Sequence, residues 1–472
     1  MMSWLLLLLG GLGIGYSLYD ISLYNRLQFY MRLACVCATY ITRYLFDYCC
    51  TSSNNYPDKS SLFVDMLIEM SKTDVLFVKI LQAISFNGNF IDSDVHARVT
   101  QFADNVPYDI SDIDFTAIKT VIKNTPFRFG KNAQMPIRSG MISLVYELIH
   151  EDTGKEYILK VKRRNIDERL NESINNMMGL LYFLSVIFKW VFSLDVIDVV
   201  ARHIVLLREQ LDFSQEERNT IEARADVVDV DYIRIPEVYE CECLSGYAII
   251  MERLPGKHLN DIPKDDKEVY RDLAIKYFLL HFIHHRFHGD LHSGNVLFID
   301  NGPLSDDDAG MIERPRYQLG IIDFGIVTHF PTNIPNTLFY IFEHQHNREM
   351  LDSITRAYLN NFIHPPNMLR LLDEDVANKI VIDSSRIAEA VFIDGELFGQ
   401  THLFRVFRCI SDNLSHRVVA LHDIKTSDGF AKFEVSLSMC ISLVSHLTDE
   451  DPNTHMKRVF DDMFHADIMF SK

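Results

Sequence analysis

Cysteine is scarce in this sequence, and its spacing fits neither a zinc protein nor a disulfide-rich protein. Eight cysteines are spread over 472 residues, and no two of them have the CxxC spacing that structural zinc sites use. A chain of this length does not need a disulfide framework to build its core. We therefore expect a reduced environment for this protein.

Basic residues are also fewer than acidic residues in this sequence. The sequence has 46 lysine and arginine residues against 65 aspartate and glutamate residues, which gives a net charge of −19. An acidic chain opposes the neutralisation of phosphates on which nucleic-acid binding depends. We therefore expect no nucleic acid among its partners. Because repeats and low-complexity tracts are absent as well, we expect a globular chain of about two to three compact units.

The first nineteen residues lack any charged side chain. The apolar run at residues 4–19 is somewhat shorter than the roughly 20 residues that cross a bilayer, and its glycines suit a signal-cleavage site. Residues 1–25 are therefore either a membrane anchor or a signal sequence, and the cysteine usage favours the anchor. Arg26, Arg32 and Arg43 follow the run, which predicts that the rest of the chain is cytosolic. The Arg-rich, amphipathic pattern of a mitochondrial transit peptide is not present.

Helical and strand-like patterns alternate after this segment. Residues 26–134 read as a mainly helical extension. The stretches MISLVYELI and EYILKVK, separated by the turn-like HEDTGK, predict a β-hairpin. Residues 166–226 read as helices, and IRIPEVYE and GYAIIMERL then read as strands. Almost everything beyond Pro263 reads as helix, except short strands around residues 296–299 and 320–322.

Two motifs in the second half of the chain carry the sharpest chemical signal. They are His288-Gly289-Asp290-Leu291-His292-Ser293-Gly294-Asn295 and Asp323-Phe324-Gly325. An aspartate and an asparagine five residues apart match the kinase catalytic loop, in which the aspartate orients the nucleophile and the asparagine holds Mg²⁺. The aspartate of DFG supplies the second metal ligand, and both side chains offer the hard oxygen atoms that Mg²⁺ prefers. We therefore assign Asp290 to catalysis, and Asn295 and Asp323 to metal and nucleotide binding.

The spacing of His288 and His292 also resembles the HxxxH of a zinc-binding helix. The glycine between them and the missing glutamate of HExxH argue against that alternative.

A lysine upstream completes the candidate site. The segment Tyr157-Ile158-Leu159-Lys160-Val161 resembles the kinase strand whose lysine contacts the nucleotide phosphates. A lysine inside such a strand requires an acidic partner. Glu216 and Glu217 are the two candidates in the helical region that follows, and we choose Glu216. Lys160 and Glu216 are then a catalytic pair that orients phosphates.

The motifs and patterns together predict an α+β, two-lobed, protein-kinase-like fold. The β-rich small lobe spans residues 135–255 and the helical large lobe spans residues 256–472, with ATP and Mg²⁺ bound in the cleft between them. An amino-terminal helical extension and the hydrophobic anchor precede the two lobes.

Residues 62–330 resemble the UbiB family of atypical kinases, also called aarF-domain kinases. The catalytic loop of that family, HxDxHxGN, is matched by His288, Asp290, His292, Gly294 and Asn295. Its ELDxxxEAxN pattern aligns with Asp212, Glu216 and Asn219, and it inserts helices between the lysine and the glutamate as this sequence does. Its KxGQ helix, which folds over the active site, aligns with Lys79 and Gln82.

The sequence departs from the family pattern in the residues expected to regulate the site. Leu81 replaces the glycine of KxGQ, and Gln210 replaces the glutamate of the family's ExD pair. The resemblance implies that Lys79 and Gln82 act together with Gln210 and Asp212. The pairing that holds the occluding helix is therefore expected to be altered.

The nucleotide loop departs as well. The family's alanine-rich AAAS is replaced by Arg138-Ser139-Gly140-Met141. Because glycine has no Cβ and reaches positive φ freely, Gly140 allows a closer approach to phosphates than alanine does. Arg138 either adds phosphate affinity or is a solvated loop residue, and the sequence leaves both readings open. These four residues and Glu252 join Lys160, Asn295 and Asp323 as the expected nucleotide-binding set.

The resemblance implies an Mg-ATP-dependent kinase or ATPase with a membrane lipid or lipid-like substrate. It implies a role in quinone or other isoprenoid lipid metabolism at a membrane, and it allows a mitochondrial location. Three alternatives stay open. A nucleotide-binding pseudokinase is disfavoured by the complete catalytic set, and a protein serine/threonine kinase is disfavoured by the missing APE segment. An aminoglycoside-type kinase shares HxDxxxxN but lacks the Lys79 helix and the inserted helices.

Overall fold

The structure is a computed structural model that combines helices with small, mostly antiparallel sheets. It describes residues 21–50, 59–72, 106–130, 135–187, 207–244, 246–302, 315–329, 333–393 and 425–448, with short pieces at 74, 76–77, 204, 405–406, 409–410, 412–414, 450, 455 and 458–459. These residues fall into two compact units. The first contains residues up to 221 and residues 236–253, and the second contains residues 222–235 and those from 254 onward.

The predicted membrane anchor at residues 4–19 lies outside the described residues. Within the ranges given above, no helix combines the length and the apolar character that crossing a bilayer requires.

The first unit begins with helices. They are α1 (Ile21–Cys50), α2 (Lys59–Ser71), α3 (Phe115–Asn124), α4 (Ile166–Ile187) and α5 (Phe213–Asp226), of which α5 continues past residue 221 into the second unit. The start of α3 is fixed by Asp114, whose carboxylate accepts hydrogen bonds from the backbone N–H groups of Thr116 and Ala117. Such an N-cap satisfies donors that the first helical turn leaves without partners.

An antiparallel sheet forms the other half of this unit. Its strands are β1 (Phe127–Phe129), β2 (Arg138–Ser139), β3 (Ser143–His150), β4 (Glu156–Lys162) and β6 (Ala248–Glu252). They are ordered β1-β3-β4-β6, and β2 pairs with the start of β3. The predicted hairpin is confirmed as β3 and β4, and Lys160 pairs with Val145 on one side and Ile249 on the other.

Side chains alternate between the two faces of this sheet, as the period of two in a strand requires. Leu144, Tyr146 and Leu148 are almost fully buried on one face, where they pack with Val121 of α3. A second apolar cluster in the described part of this unit is formed mainly by α1, α2 and α4, and it includes Met251.

The strand predicted over IRIPEVYE is much shorter in the structure. Strand β5 covers only Ile233–Arg234, and Val238 forms an isolated bridge with Met251. Pro236 lies between the two and cannot donate a ladder hydrogen bond, so the extended segment is interrupted there.

The second unit is built around helix α6 (Lys267–His284). The other helices described in this unit are α7 (Asn333–His344), α8 (Leu351–Phe362), α9 (Glu374–Phe392) and α10 (Asp428–Leu447). Helix α6 is buried on two faces, because Phe278 and Phe282 enter one apolar cluster while Tyr270 and Tyr277 enter another. The all-round burial explains why its sequence is apolar on more than one side.

Short strands flank both chemical motifs in this unit. They are β7 (Arg286–His288), β8 (Val296–Asp300), β9 (Tyr317–Ile321) and β10 (Val327–His329), with β11 (Ile363–His364) and β12 (Lys425–Thr426) pairing elsewhere. The predicted strands at residues 296–299 and 320–322 correspond to β8 and β9, which pair antiparallel, with β5 parallel to β9. The pair β7 and β10 was not predicted, because three residues are too few to establish a period.

Two buried histidines lie close to these strands. His281 of α6 contacts the rings of Tyr277 and Phe287, with centroids 4.7 Å and 5.3 Å away. Neither ring nitrogen of His281 has a hydrogen-bond partner among the described residues. Burial lowers the pKa of His281 well below its usual value, and the neighbouring His288 and His284 add to the effect.

Replacing His281 with phenylalanine is expected to reduce the loss of stability that acid causes. The unfolded chain takes up a proton at this residue near pH 6.5, whereas the folded chain does not. The free energy of unfolding of the wild type therefore falls as pH drops below about 6.5, and part of this fall disappears in the variant. Urea unfolding at about pH 7.5 and about pH 5.5 measures the difference.

The exposed His329 supplies the control, because His329→Gln is expected to keep the wild-type dependence on pH. An unchanged acid loss in His281→Phe would contradict the neutral, buried state of His281.

Candidate functional site

The first unit brings Lys160 and Glu216 together. Lys160 Nζ donates to Glu216 Oε1 at 2.6 Å, and the two side chains are only 13% and 2% exposed. Lys160 lies in β4, between β3 and β6, and Glu216 lies in the first turn of α5. Because a buried charge requires a partner, this contact fixes the start of α5 against the sheet.

The start of α5 is itself shaped by residues of the predicted pattern. Asp212 accepts a hydrogen bond from the Gln215 backbone N–H at 3.0 Å, as an N-cap residue does. Asn219 is buried, and its side-chain oxygen accepts from Gln215 Nε2 at 2.8 Å. Asp212 and Asn219 therefore support the helix turn that carries Glu216.

Sequence reasoning missed the aromatic residue beside this pair. The ring of Phe213 is almost fully buried, with Lys160 Nζ 5.5 Å and Lys162 Nζ 5.6 Å from its centroid. An ammonium group over an aromatic face gains a cation–π attraction. Phe213 thus contributes to holding Lys160 in place, and nothing in a lone phenylalanine at a helix start signals this role.

The predicted nucleotide loop lies at the turn between β2 and β3. The Gly140 backbone N–H donates to Ser143 O at 2.9 Å, which closes the turn. Gly140 does not have positive φ, and an added Cβ would meet only ordinary contacts with Ser143 at 3.6 Å and beyond. The left-handed freedom of glycine, noted from the sequence, is therefore not used here.

The other residues of this loop differ in exposure. Arg138 is half-buried, whereas Ser139 and Met141 are buried at 1% and 6% exposed. Their side chains therefore face protein, and any contact that Ser139 or Met141 makes with a nucleotide would come from the backbone. Glu252, at the end of β6, accepts a long hydrogen bond from the Glu237 backbone N–H.

The expected regulatory residues are only partly covered by the structure. Lys79 and Gln82 lie outside the described residues. Gln210 and Asp212 lie directly before α5, where Asp212 acts as its N-cap. The expectation that the pairing of these four residues is altered stays a prediction.

The second unit holds the catalytic-loop motif between β7 and β8. Asp290 is 4% exposed, and the backbone N–H of Gly289 donates to Ile326 O at 2.8 Å. A Cβ at Gly289 would lie 2.5 Å from Ile326 Cγ2, so the close approach of the two segments requires glycine. His292 Nε2 lies 3.8 Å from Asp290 Oδ2.

Asn295 is oriented by its contact with the same loop. Its Nδ2 donates to the backbone oxygen of Asp290 at 2.9 Å, and the residue is 7% exposed. This contact assigns the amide nitrogen and leaves Oδ1 as the oxygen that a metal ion would use. The Ile322 backbone N–H donates to Asn295 O at 3.0 Å, so Asn295 lies directly beside the DFG motif.

His288 joins the two motifs through its ring. Its Nδ1 accepts from the Asp290 backbone N–H at 3.2 Å, and its Nε2 lies 3.2 Å from Ile322 O. These partners require a neutral ring with the proton on Nε2. Burial lowers the pKa of His288, outweighing the opposite effect of the Asp290 charge, which agrees with the neutral form.

Asp323 has an unusual backbone conformation. Its φ is 64°, in the left-handed region that aspartate tolerates better than most residues. Phe324 is buried beside it, with its ring centroid 4.9 Å from that of His288. A backbone held in this region by its surroundings is typical of functional sites.

The Asn295 amide oxygen and the Asp323 carboxylate are hard oxygen ligands on two segments that are hydrogen-bonded to each other. This donor set fits Mg²⁺, which takes one or two protein oxygens and completes its shell with water and phosphate oxygens.

Comparison with known proteins identifies the family. The sequence model of the family described as the ABC1 atypical kinase-like domain matches residues 101–354, which is more than half of the chain. The chain belongs to the ABC1 atypical kinase-like family. Curated relatives in this family are named probable protein kinase UbiB, so the family predicted from the sequence is confirmed. Membership also establishes a kinase-like fold of mixed helix and sheet.

One such relative is the probable protein kinase UbiB of Histophilus somni. It is 25% identical over 262 residues, which cover 53% of this chain and 46% of the relative. The chain thus spans about half the length of the curated relatives it matches.

Solved structures are more distant. A Mycobacterium tuberculosis protein in complex with erythromycin is 18% identical, with a TM-score of 0.43 over 86% of this chain and 98% of that one. The Rio2 kinase of Chaetomium thermophilum with ADP, Mg²⁺ and phosphoaspartate is 15% identical, with a TM-score of 0.30 over 68% and 85%. At these scores neither structure adds to the family assignment.

Replacing Glu216 with glutamine is expected to destabilise the protein. The change removes the carboxylate that neutralises Lys160, and breaking such a buried pair lowers the free energy of unfolding by roughly 3 kcal/mol. Urea unfolding of the full chain measures this value.

Glu217→Gln is the matched control on the same helix. Burial raises the pKa of Glu217, so this substitution is expected to change the free energy of unfolding by less than about 0.5 kcal/mol. Equal effects of the two substitutions would contradict the assignment of Glu216 as the partner of Lys160.

Proposed function

We propose that this chain is an Mg-ATP-dependent atypical kinase or ATPase of the UbiB type. The observation that carries the proposal is the arrangement of Asp290, Asn295 and Asp323 on two segments that hydrogen bonds hold side by side. Membership in the ABC1 atypical kinase-like family supports it. The buried contact of Lys160 with Glu216 in the other unit supports it independently.

Each residue has a distinct role in this proposal. Lys160 binds the α and β phosphates of ATP, and Glu216 holds the lysine in position. Asn295 and Asp323 hold Mg²⁺, which when bound neutralises the charge that develops on the phosphates. Asp290 orients the attacking hydroxyl or water and accepts its proton.

The surroundings of Asp290 suit this role. Its backbone N–H donates to His288 Nδ1 and its backbone oxygen accepts from Asn295 Nδ2, so the main chain is held from two sides. A carboxylate fixed in this way reaches its target without first losing conformational freedom. Because His288 is neutral, it holds the segment without adding a positive charge that would compete for the carboxylate.

We further propose a membrane lipid or lipid-like substrate, and a role in quinone or other isoprenoid lipid metabolism. The resemblance of the sequence to the UbiB family supports this proposal. In it, residues 4–19 associate with the membrane, and the kinase-like part lies on the cytosolic side or, by family resemblance, in mitochondria.

Replacing Asp323 with asparagine is expected to abolish nucleotide turnover. The amide is a weaker and uncharged metal ligand, so ADP release should fall on the order of a hundredfold or more. The assay uses the full chain with Mg-ATP, with and without liposomes. Asp300→Asn is the control, because Asp300 ends β8 on the surface and pairs there with Arg316.

The enzyme proposal is supported if the wild type and Asp300→Asn turn over ATP and Asp323→Asn does not. Stimulation of this turnover by liposomes supports a lipid-linked substrate. Nucleotide binding by the wild type with no turnover above that of Asp323→Asn would overturn the enzyme proposal in favour of a pseudokinase.

A further inference from the structure

A buried arginine lies behind the nucleotide loop of the first unit. Arg163 directly follows β4, three residues after Lys160, and is 4% exposed. Its guanidinium Nε donates to Gly140 O at 3.0 Å and its Nη2 donates to Ser139 Oγ at 2.7 Å. The Arg163 backbone N–H donates to Ile142 O at 2.8 Å. One residue therefore contacts Ser139 and Gly140 of the loop and Ile142 just after it.

The other side of the same guanidinium is anchored in the segment before α3. Nη1 donates to the Asp112 carboxylate at 2.9 Å, and Nη1 and Nη2 also reach the backbone oxygens of Val106 and Pro107 at 3.2–3.3 Å. Asp112 accepts a second charged hydrogen bond from Arg169 of α4. A planar guanidinium serves several fixed acceptors at once, which a lysine cannot do.

The Asp112 carboxylate lies between two guanidinium groups, those of Arg163 and Arg169. Burial alone would raise the pKa of Asp112, but hydrogen bonds from the Asp109 N–H and Arg169, together with the Arg163 charge, hold that pKa below its usual value. Asp112 therefore stays ionised, and the contact with Arg163 persists at neutral pH.

The register of the sheet shows which face the arginine occupies. Val145 of β3 pairs with Arg138 on one side and with Lys160 on the other, so the three residues share one face of the sheet, with β3 between the two cations. Ser139 pairs with Leu144, which pairs with Val161, so Ser139 belongs to the opposite face. Arg163 lies two residues beyond Val161 and contacts the loop from that opposite face.

We propose that Arg163 and Ser139 are positioning residues that hold the nucleotide loop so that Arg138 is presented on the same face of the sheet as Lys160, as a second phosphate-binding cation. The inference rests on the proposed function. It decides between the two readings of Arg138 that the sequence left open.

Removal of the Ser139 hydroxyl tests the inference with little risk to folding. Ser139→Ala loses one hydrogen bond to a charged group, and we expect the Kd and the KM for Mg-ATP to rise roughly fivefold to tenfold while kcat changes little. Arg163→Lys keeps the charge but loses the several N–H donors of the planar guanidinium, so it should raise the Kd and the KM for Mg-ATP more than Ser139→Ala does. Arg164→Lys, at the exposed neighbouring position, is the control and should bind like the wild type.

A double-mutant cycle separates positioning from general destabilisation. Arg138→Ala should weaken Mg-ATP binding in the wild type, but should have much less effect in the Ser139→Ala background, because the loop no longer presents Arg138. The four Kd values of the cycle come from calorimetric titration of the full chain, after thermal unfolding without nucleotide has shown that each variant is folded.

Three results would overturn the inference. If folded Ser139→Ala and Arg163→Lys bind Mg-ATP with the wild-type affinity, the inference is wrong while the proposed function stands. The same holds if the effects of Arg138→Ala and Ser139→Ala on the Kd are independent of each other. No binding of Mg-ATP by the wild type would overturn the proposed function and this inference with it, and that outcome is distinct from the other two.

Discussion

The cost of burying charge is the constraint on which the structure of the first unit depends. Lys160 loses most of its water inside the sheet, so the Glu216 carboxylate must meet it, and α5 must begin where it does. The same requirement operates on the opposite face, where Arg163 is buried and finds its counter-charge in Asp112. Two cations three residues apart, one in β4 and one directly after it, thus fix the helix start on one face and the turn at residues 138–141 on the other.

In the second unit, a neutral side chain, the ring of His288, holds two segments together. The catalytic loop and the DFG segment are joined by the His288 ring, which accepts from the Asp290 N–H and donates to Ile322 O. A charged imidazolium could not accept that hydrogen bond. Burial lowers the pKa of His288 and keeps the ring neutral, so it preserves the contact between the two segments. The antiparallel pairs β7 with β10 and β8 with β9 flank this contact and bring the oxygens of Asn295 and Asp323 onto neighbouring segments.

The sequence predicts well the features that local patterns determine. Alternating apolar residues identify the β3–β4 hairpin, and motif spacing, together with the family resemblance, predicts the contact of Lys160 with Glu216. The roles of Asp290, Asn295 and Asp323 stay predictions. The sequence does not predict the role of Arg163, because the partners of its side chain lie 23 to 57 residues away and only the folded chain brings them together. Three-residue strands such as β7 escape prediction because they are shorter than the pattern that would reveal them. The role of Phe213 also depends on a contact across the fold.

Calorimetric titration of ATP into the full chain, with Mg²⁺ and again with EDTA, tests the central claim most directly. If Lys160 binds phosphates while Asn295 and Asp323 hold the metal, binding saturates at one site and weakens on the order of tenfold or more when Mg²⁺ is removed. Absence of binding, or the same affinity with and without Mg²⁺, would contradict the assignment of these residues to an Mg-ATP site.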